Sequence, residues 1–257
     1  MLLAIDCGNT NTVFAVYDGP AQRGAWRLAT NAQRTADEYA VWLGQFMALA
    51  GLAPSAIDAA VIATVVPAAK FALKTVCRKH FRAEPLIVGE PGVALGIAVA
   101  VDRPEQVGAD RVVNAVAAQV HYPGDAIVID FGTATTFDVV GADGSYLGGA
   151  IAPGVNLSVD ALYRASAQLP RVAVERPASV IGKATVPAMQ SGVFWGYVAL
   201  IEGMVARIRA EHGRPMRVIA TGGLAPLFAG ATSAIEIVDP DLTLRGLVEI
   251  HRRNVRR

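Results

Sequence analysis

The chain has 257 residues, of which 53% are hydrophobic and 18% are charged, and its formal net charge at pH 7 is +1. This composition is that of a compact globular protein and excludes a disordered one. The near-zero charge gives no bulk attraction to nucleic acid or to an anionic membrane, so neither is an expected partner. Two cysteines and four histidines without metal-ligand spacing exclude a disulfide framework and a zinc site, and they fit a cytoplasmic protein.

Hydrophobic patterning and turn residues predict the elements of the first half in chain order. An antiparallel meander of strands opens the chain, over 2–6, 12–18 and 23–29. A helix follows from the N-cap residue Thr35 to Ala50, because Thr, Asp and Glu at its start are typical of a helix N-terminus. The remaining predicted elements are a strand over 58–64, a helix over 68–80, a strand over 85–88 and a helix over 107–119.

The same pattern restarts after a predicted linker over 121–125, which contains Pro123 and Gly124. Strands are expected over 126–130, 134–140 and 145–151, then a helix from 155, an irregular stretch over 169–187, a helix over 188–211, a strand over 217–220, a turn over 221–223, a helix over 224–229, a strand over 235–238 and a helix over 241–253. Three strands followed by alternating helices and strands, occurring twice, predict a duplicated α/β architecture.

Two segments with similar sequences each follow a predicted strand. The first Asp-Gly turn consists of Asp6, Cys7, Gly8, Asn9, Thr10, Asn11 and Thr12; the second consists of Asp130, Phe131, Gly132, Thr133, Ala134, Thr135 and Thr136. In each, glycine allows a ligand to approach the backbone, and a tight turn aims N–H groups outward. An Asx-type hairpin turn would favour the same residues, but the repetition favours two phosphate-binding turns.

No lysine or arginine occurs between residues 6 and 13. Metal ions and backbone dipoles must therefore balance the charge of a bound phosphate. Asp6 is the expected partner of Mg²⁺, through water, because magnesium gives up its waters reluctantly. Asp130 is a second expected ligand for a hard cation.

A third carboxylate lies in the sequence Gly108, Ala109, Asp110, Arg111, at the start of a predicted helix. One interpretation is that Asp110 caps the helix and has no further role. Beside two phosphate turns it could instead accept the proton of a substrate hydroxyl that attacks a γ-phosphoryl group, while Arg111 holds an anionic substrate. Thr221, Gly222 and Gly223 form a further turn that would suit the base or ribose of a nucleotide, but a strand-to-helix connection favours glycines for its geometry alone.

The nearly uniformly apolar stretch over 188–201 predicts a helix that is buried on all sides or lies in a subunit interface. Its small residues Ser191, Gly192 and Gly196 allow another helix to approach closely. The sequence lacks the GxGxxG, GxSxG and HExxH motifs, and the segment 182–185 is not a P-loop.

These motifs resemble those of the type III pantothenate kinase family, within the superfamily of acetate and sugar kinases, heat-shock chaperone ATPases and actin. The agreement covers nearly the full length, in order, over 6–13, 108–115, 129–136, 148–154, 188–192 and 221–223. The resemblance implies two duplicated ribonuclease-H-like (actin-like ATPase) domains, each a mixed sheet flanked by helices, with a cleft between them. The expected domains are residues 1–122 and 123–257, and the second would carry a homodimer interface.

The resemblance also implies ATP-dependent phosphorylation of the primary hydroxyl of pantothenate to 4′-phosphopantothenate, the first step of coenzyme A biosynthesis. Asp110 would be the catalytic base, and Gly108, Ala109, Arg111 and Thr185 would bind substrate. Asp130 would bind a monovalent cation, K⁺ or NH₄⁺. The expected ATP-binding residues are Asp6, Cys7, Gly8, Asn9, Thr10, Asn11, Thr12, Val13 and Thr133.

Two positions depart from the family pattern. Ala184 stands where members often have Asn, and residues 99–102 lack the tyrosine that some members place before the Gly-Ala-Asp-Arg motif. The alternatives are another sugar or hydroxy acid kinase of the superfamily, a chaperone- or filament-type ATPase, and a non-catalytic transcriptional accessory factor. The last would require a basic face, which the charge balance does not favour.

Overall fold

The computed structural model describes residues 1–255, and the chain divides into two compact units. The first comprises Met1–Val120 together with the chain from Asp241 onward, and the second comprises His121–Pro240. Each unit contains a five-stranded sheet in which both parallel and antiparallel strands pair. The predicted mixed α/β fold, with one such sheet in each half, is therefore confirmed.

The sheet of the first unit begins with a meander and ends with parallel strands. Its order is β3-β2-β1-β4-β5, and β4 is parallel to both β1 and β5. The elements of this unit are β1 (Leu2–Cys7), β2 (Asn11–Asp18), β3 (Ala21–Ala29), α1 (Ala36–Leu49), β4 (Ala59–Thr64), α2 (Pro67–His80), β5 (Pro85–Ile87), α3 (Ala109–His121) and α7 (Leu242–Val255).

Side chains alternate between the two faces of the sheet, so the first unit has two cores, one on each face. Leu3 and Ile5 of β1 pack in a cluster with residues of α1 and α2, whereas Leu2 and Ala4 pack in a cluster with residues of α3 and α7, because successive side chains point to opposite faces. Asp6 follows the second set in this alternation. The sheet face that carries Asp6 is thus the face covered by α3, the helix that bears Asp110.

The second unit repeats this plan with the strand order β10-β9-β6-β7-β8. Its core packs α5 and α6 on one face of the sheet, around Phe194, Ile201 and Phe228. Its elements are β6 (Ala126–Phe131), β7 (Ala134–Val140), β8 (Tyr146–Pro153), α4 (Val155–Ala165), α5 (Thr185–His212), β9 (Arg217–Gly222), α6 (Ala225–Ala229) and β10 (Ile237–Val238).

The position of α7 differs from the expected domain division. The sequence placed residues 123–257 in one domain, but Leu244, Leu247 and Ile250 of α7 are buried in the cluster of Ala4 and Val61, in the first unit. The apolar stripe of α7 matches a face of β1 and β4 that would otherwise be exposed. The chain therefore returns to its first unit after completing the second.

Helix length also bears on the expected absence of a membrane span. Of the helices within residues 1–255, none is long and apolar enough to cross a membrane.

Candidate active site

The first Asp-Gly turn connects β1 to β2. Cys7 and Thr12 are fully buried, while Asn9, Thr10 and Asn11 are exposed and Asp6 is half-buried. The turn closes through a hydrogen bond from Gly8 N to Asn11 O at 3.0 Å. The side chains of Asn9, Thr10 and Asn11 therefore lie on the solvent-exposed side of the turn, whereas those of Cys7 and Thr12 lie in the interior.

Thr30, which follows β3, is hydrogen-bonded to this turn. Its backbone N donates to Thr10 O at 2.9 Å, and its Oγ1 donates to Gly8 O at 2.7 Å. Because the Thr30 hydroxyl donates to Gly8 O, the Thr12 hydroxyl donates to Thr30 Oγ1 at 2.8 Å, and Thr12 Oγ1 lies 3.4 Å from Cys7 Sγ. These bonds hold the turn in one shape before a ligand arrives.

Asp110 lies in the first turn of α3, at the same edge of the sheet. Val65, which follows β4, donates its N–H to Cys7 O at 3.1 Å. A Cβ added at Gly108 would lie 3.5 Å from Val65 Cγ1 and 2.6 Å from Asp110 Oδ1. The start of α3 therefore packs beside the carboxyl ends of β1 and β4, and a larger residue at 108 would displace the Asp110 carboxylate.

Burial raises the pKa of Asp110 above its ordinary value, and this effect outweighs the hydrogen bond and charge of Arg111. Asp110 Oδ1 accepts from the Arg111 backbone N at 2.8 Å. A carboxylate that is partly desolvated and still accepts only local hydrogen bonds is a stronger base than one in water. This environment suits proton abstraction better than helix capping alone.

Glycines shape the second Asp-Gly turn in the second unit. A Cβ at Gly154 would lie 2.1 Å from Thr133 O, and a Cβ at Gly222, whose φ is +90°, would lie 2.6 Å from Phe131 O. Both positions need glycine, because the start of α4 and the end of β9 press directly on the turn. Gly132 N closes the turn by donating to Ala134 O at 3.0 Å, and Thr133 is exposed.

Asp130 is half-buried at the end of β6, opposite Thr136 of β7 and Thr221 of β9. The same sheet face carries a carboxylate for which we had predicted no role. Asp138 is fully buried and accepts hydrogen bonds from Tyr146 Oη and Thr136 Oγ1, each at 2.9 Å. Its charge, within the otherwise uncharged strand β7, is the signal from which the sequence could have identified it.

Thr185 is the first residue of α5 and is exposed. The preceding segment folds back on this helix, since Ser191 Oγ donates to Val180 O. A Cβ at Gly182 would lie 2.3 Å from Ala188 N. The segment therefore holds the start of α5 in place, and the structure puts Thr185 in the second unit with Asp130 and Thr133.

The donor set fits metal ions that bind mainly through water and phosphate. Within residues 1–255, no group of three or more His, Cys, Asp or Glu side chains is arranged to hold a metal ion. Mg²⁺ is usually held by one or two carboxylates together with substrate phosphates rather than by an all-protein cage. A single half-buried carboxylate in each turn, Asp6 and Asp130, meets that requirement.

The sequence matches one protein family along most of its length. A family model described as type III pantothenate kinase matches residues 2–207. The type III pantothenate kinase of Rhodospirillum rubrum is 68% identical over 254 residues, which cover 99% of each chain.

Solved structures support the fold. A Campylobacter jejuni protein named as a Baf family transcriptional activator superposes with a TM-score of 0.62 at 21% identity, covering 99% of this chain and 100% of that one. The activator of 2-hydroxyisocaproyl-CoA dehydratase from Clostridium difficile, solved with bound ADPNP, superposes with a TM-score of 0.56 at 11% identity, covering 100% and 97%. At these identities the likeness establishes the fold alone. The family match and the full-length identity to a curated member together show that this chain belongs to the type III pantothenate kinase family.

Proposed function

We propose that this chain, an ATP-dependent pantothenate kinase of coenzyme A biosynthesis, uses Asp110 as its catalytic base. The observation that carries the proposal is the placement of Asp110. Its carboxylate has a raised pKa and lies at the edge of the sheet that carries the first Asp-Gly turn. A base there can remove a hydroxyl proton close to a bound triphosphate.

In the proposed reaction, the primary hydroxyl oxygen of pantothenate attacks the γ-phosphorus of ATP. The new O–P bond forms as the bond to the β-phosphate oxygen breaks, ADP leaves, and Asp110 accepts the hydroxyl proton. Arg111 pairs with the pantothenate carboxylate, since a guanidinium fork matches a carboxylate, and Gly108 and Ala109 let the substrate approach the backbone. Catalysis in such transfers depends mainly on positioning and charge stabilisation.

The phosphates of ATP are assigned to the first Asp-Gly turn. Gly8, Asn9, Thr10 and Asn11 present backbone and side-chain groups at its exposed side. Thr133, exposed on the second turn, is proposed separately as an ATP-binding residue of the second unit. Asp6 would hold hydrated Mg²⁺, and Asp130 would hold K⁺ or NH₄⁺. When bound, these cations neutralise phosphate charge that backbone dipoles balance only in part.

We also propose that the protein is a homodimer that packs through α5. A Cβ at Gly192 or Gly196 would meet no atom within 4 Å, although both lie in a mostly apolar helix. Ile181 is 79% exposed and Ile151 is 66% exposed on the same unit, which is unusual for isoleucine in a monomer. A second copy that covers this surface would lie close to Thr185, the proposed pantothenate contact. The free, buried thiols of Cys7 and Cys77 support a cytoplasmic location.

An acceptor panel tests the assigned reaction. The purified protein is given ATP, Mg²⁺ and K⁺ with pantothenate, a set of hydroxy acids and a set of sugars, and phosphorylated products are quantified. Phosphorylation of pantothenate alone supports the proposal. Turnover of a sugar instead would assign the chain to another kinase of the superfamily, and hydrolysis of ATP without an acceptor would assign an ATPase. Omission of Mg²⁺ or of the monovalent cation tests each ion separately.

A further inference from the structure

The first Asp-Gly turn has a charge deficit as a site for ATP. Residues 6–13 include one carboxylate, Asp6, and no lysine or arginine. A triphosphate carries several negative charges, and Mg²⁺ offsets only part of them. Kinases commonly place a cationic side chain on the transferring phosphates. A cation for these phosphates would therefore come from a residue that is distant in sequence from the turn but adjacent to it in space.

The segment after β3 is hydrogen-bonded to the turn. Thr30 binds Thr10 O and Gly8 O, as described above. The chain then bends at Asn31, whose O accepts from Arg34 N at 3.1 Å and whose Oδ1 accepts from Gln33 N at 2.9 Å. Because of this tight bend, Arg34 lies beside the end of β3.

The guanidinium of Arg34 is held at that edge by two contacts. Nη1 donates to Ala29 O at 3.1 Å, and Ala29 pairs with Asn11, a residue of the turn. Cζ lies 5.4 Å above the centroid of the Tyr39 ring, a separation at which a cation–π interaction stabilises the charge. The ring of Tyr39 in turn packs on Phe14 of β2, with centroids 5.5 Å apart.

These contacts leave the guanidinium able to bind an anion. The hydrogen bond to Ala29 O uses one of the five N–H donors of an arginine. The pKa of Glu38 is lowered mainly by its hydrogen bonds with Thr35 and least by the charge of Arg34. Glu38 Oε2 accepts from Thr35 N at 2.7 Å and from Thr35 Oγ1 at 2.8 Å. The bond from Thr35 N and the bond from Glu38 N to Thr35 Oγ1 at 3.3 Å form the capping box of α1, so the Glu38 carboxylate caps this helix.

We infer that Arg34 is an ATP-binding residue that contacts the β- or γ-phosphate on the first Asp-Gly turn. The inference rests on the proposed function, in which this turn holds ATP. It supplies the positive charge that the turn lacks, and it explains why a charged side chain is fixed by a backbone carbonyl and an aromatic ring. A planar fork can bind two phosphate oxygens at once, which a lysine cannot do.

Steady-state kinetics of R34Q, R34K and the control R27Q test the inference. Arg27 is exposed on β3, the strand that precedes Arg34, opposite Val13 of β2, and its replacement makes the same change in net charge. We expect R34Q to lower kcat/KM for ATP by roughly 10-fold to 100-fold, the loss of a hydrogen bond to a charged group. R34K should recover part of this loss, and R27Q should change kcat/KM for ATP by less than about 2-fold. The KM for pantothenate should be unchanged in all three variants.

Two outcomes would overturn the inference. The first is an R34Q enzyme whose kcat/KM for ATP equals that of R27Q. The second is a loss that appears equally in KM for both substrates and follows a lowered Tm, which indicates a structural role for the Tyr39 contact. Asp6→Asn is measured in parallel. If Asp6→Asn impairs ATP use and R34Q does not, the turn remains the ATP site and only the role of Arg34 fails; if neither does, the assignment of the turn itself fails.

Discussion

The environment of Asp110 links its burial to the pH dependence of the reaction. As the proposed base, Asp110 must be ionised to accept a proton, and burial raises its pKa above the ordinary value of 3.8. We therefore expect kcat/KM for pantothenate to be lost as pH falls through this raised pKa. The pH profile between 4 and 8 measures it. A profile that stays flat down to the ordinary pKa of an aspartate would contradict the assignment of Asp110 as base.

Gly154 tests the construction of the second Asp-Gly turn. Its φ is −72°, which alanine can adopt, but the added Cβ would lie 2.1 Å from Thr133 O. We expect Gly154→Ala to destabilise the fold by about 1–3 kcal/mol, because α4 must move away from the turn, and to weaken ATP binding. Urea unfolding and ATP titration measure the two effects.

The matched control is Gly44→Ala in α1, where the new Cβ meets no atom within 4 Å. This change should stabilise the fold by about 0.5–1 kcal/mol, since glycine is a poor helix former. Equal effects of the two substitutions on stability would show that space at Gly154 is not limiting.

The residues predicted from sequence are those that occur in recognisable motifs. Asp6, Asp110 and Asp130 are predicted because each carboxylate follows or precedes glycines at a predicted element boundary. The contacts of Thr30 and Arg34 could not be predicted, because they depend on the pairing of β2 with β3 and on the bend at Asn31. No local pattern encodes such a contact.

At the scale of elements, the predicted order of strands and α-helices is confirmed from β1 to α7, and these elements differ from the prediction only at their ends. Two short 3₁₀ helices, Pro54–Ala56 and Pro104–Gln106, were not predicted. Helix α5 begins at Thr185 rather than at 188, since Pro187 is tolerated in the first turn of a helix. Strand β10 is reduced to Ile237–Val238, as expected for a short edge strand. The location of α7 could not be predicted, because chain order places it after the second unit.

Helix α7 packs against α3, the helix that bears the proposed base. A Cβ at Gly246 of α7 would lie 2.2 Å from Val113 O of α3, and Thr243 Oγ1 donates to the buried Asn114 Oδ1 at 2.7 Å. We expect Gly246→Ala to separate the helices, with a destabilisation of about 1–3 kcal/mol and a lower kcat. Denaturant unfolding and kinetics measure both.

The control for this prediction is Thr243→Val, which removes the hydrogen bond but keeps the close approach. It should cost about 1–3 kcal/mol, because the buried Asn114 loses a partner, with a smaller effect on kcat than Gly246→Ala. A Gly246→Ala enzyme of unchanged stability and rate would show that the approach of α7 does not position α3.

At the scale of the whole molecule, the exposed face of α5 predicts the assembly. Gly196→Glu places a charge on a surface where the structure leaves open space. If α5 packs against a second copy, this charge should dissociate the dimer, and sedimentation velocity should show a folded monomer with reduced activity. Gly44→Glu makes the same change on α1 and should leave the sedimentation coefficient unaltered. A native chain that sediments as a monomer would contradict the dimer directly.

The most direct test of the account is single-turnover phosphorylation of pantothenate by Asp110→Asn at saturating ATP. Removal of the base should slow the phosphoryl transfer by ~10²–10⁴-fold, while ATP binds as before. Because the folded state raises the pKa of Asp110, ionisation destabilises the fold as pH rises, so the Asn variant should also have a higher Tm at pH 7. A transfer rate within a few-fold of the native enzyme would contradict the central claim and leave Asp110 as a helix cap.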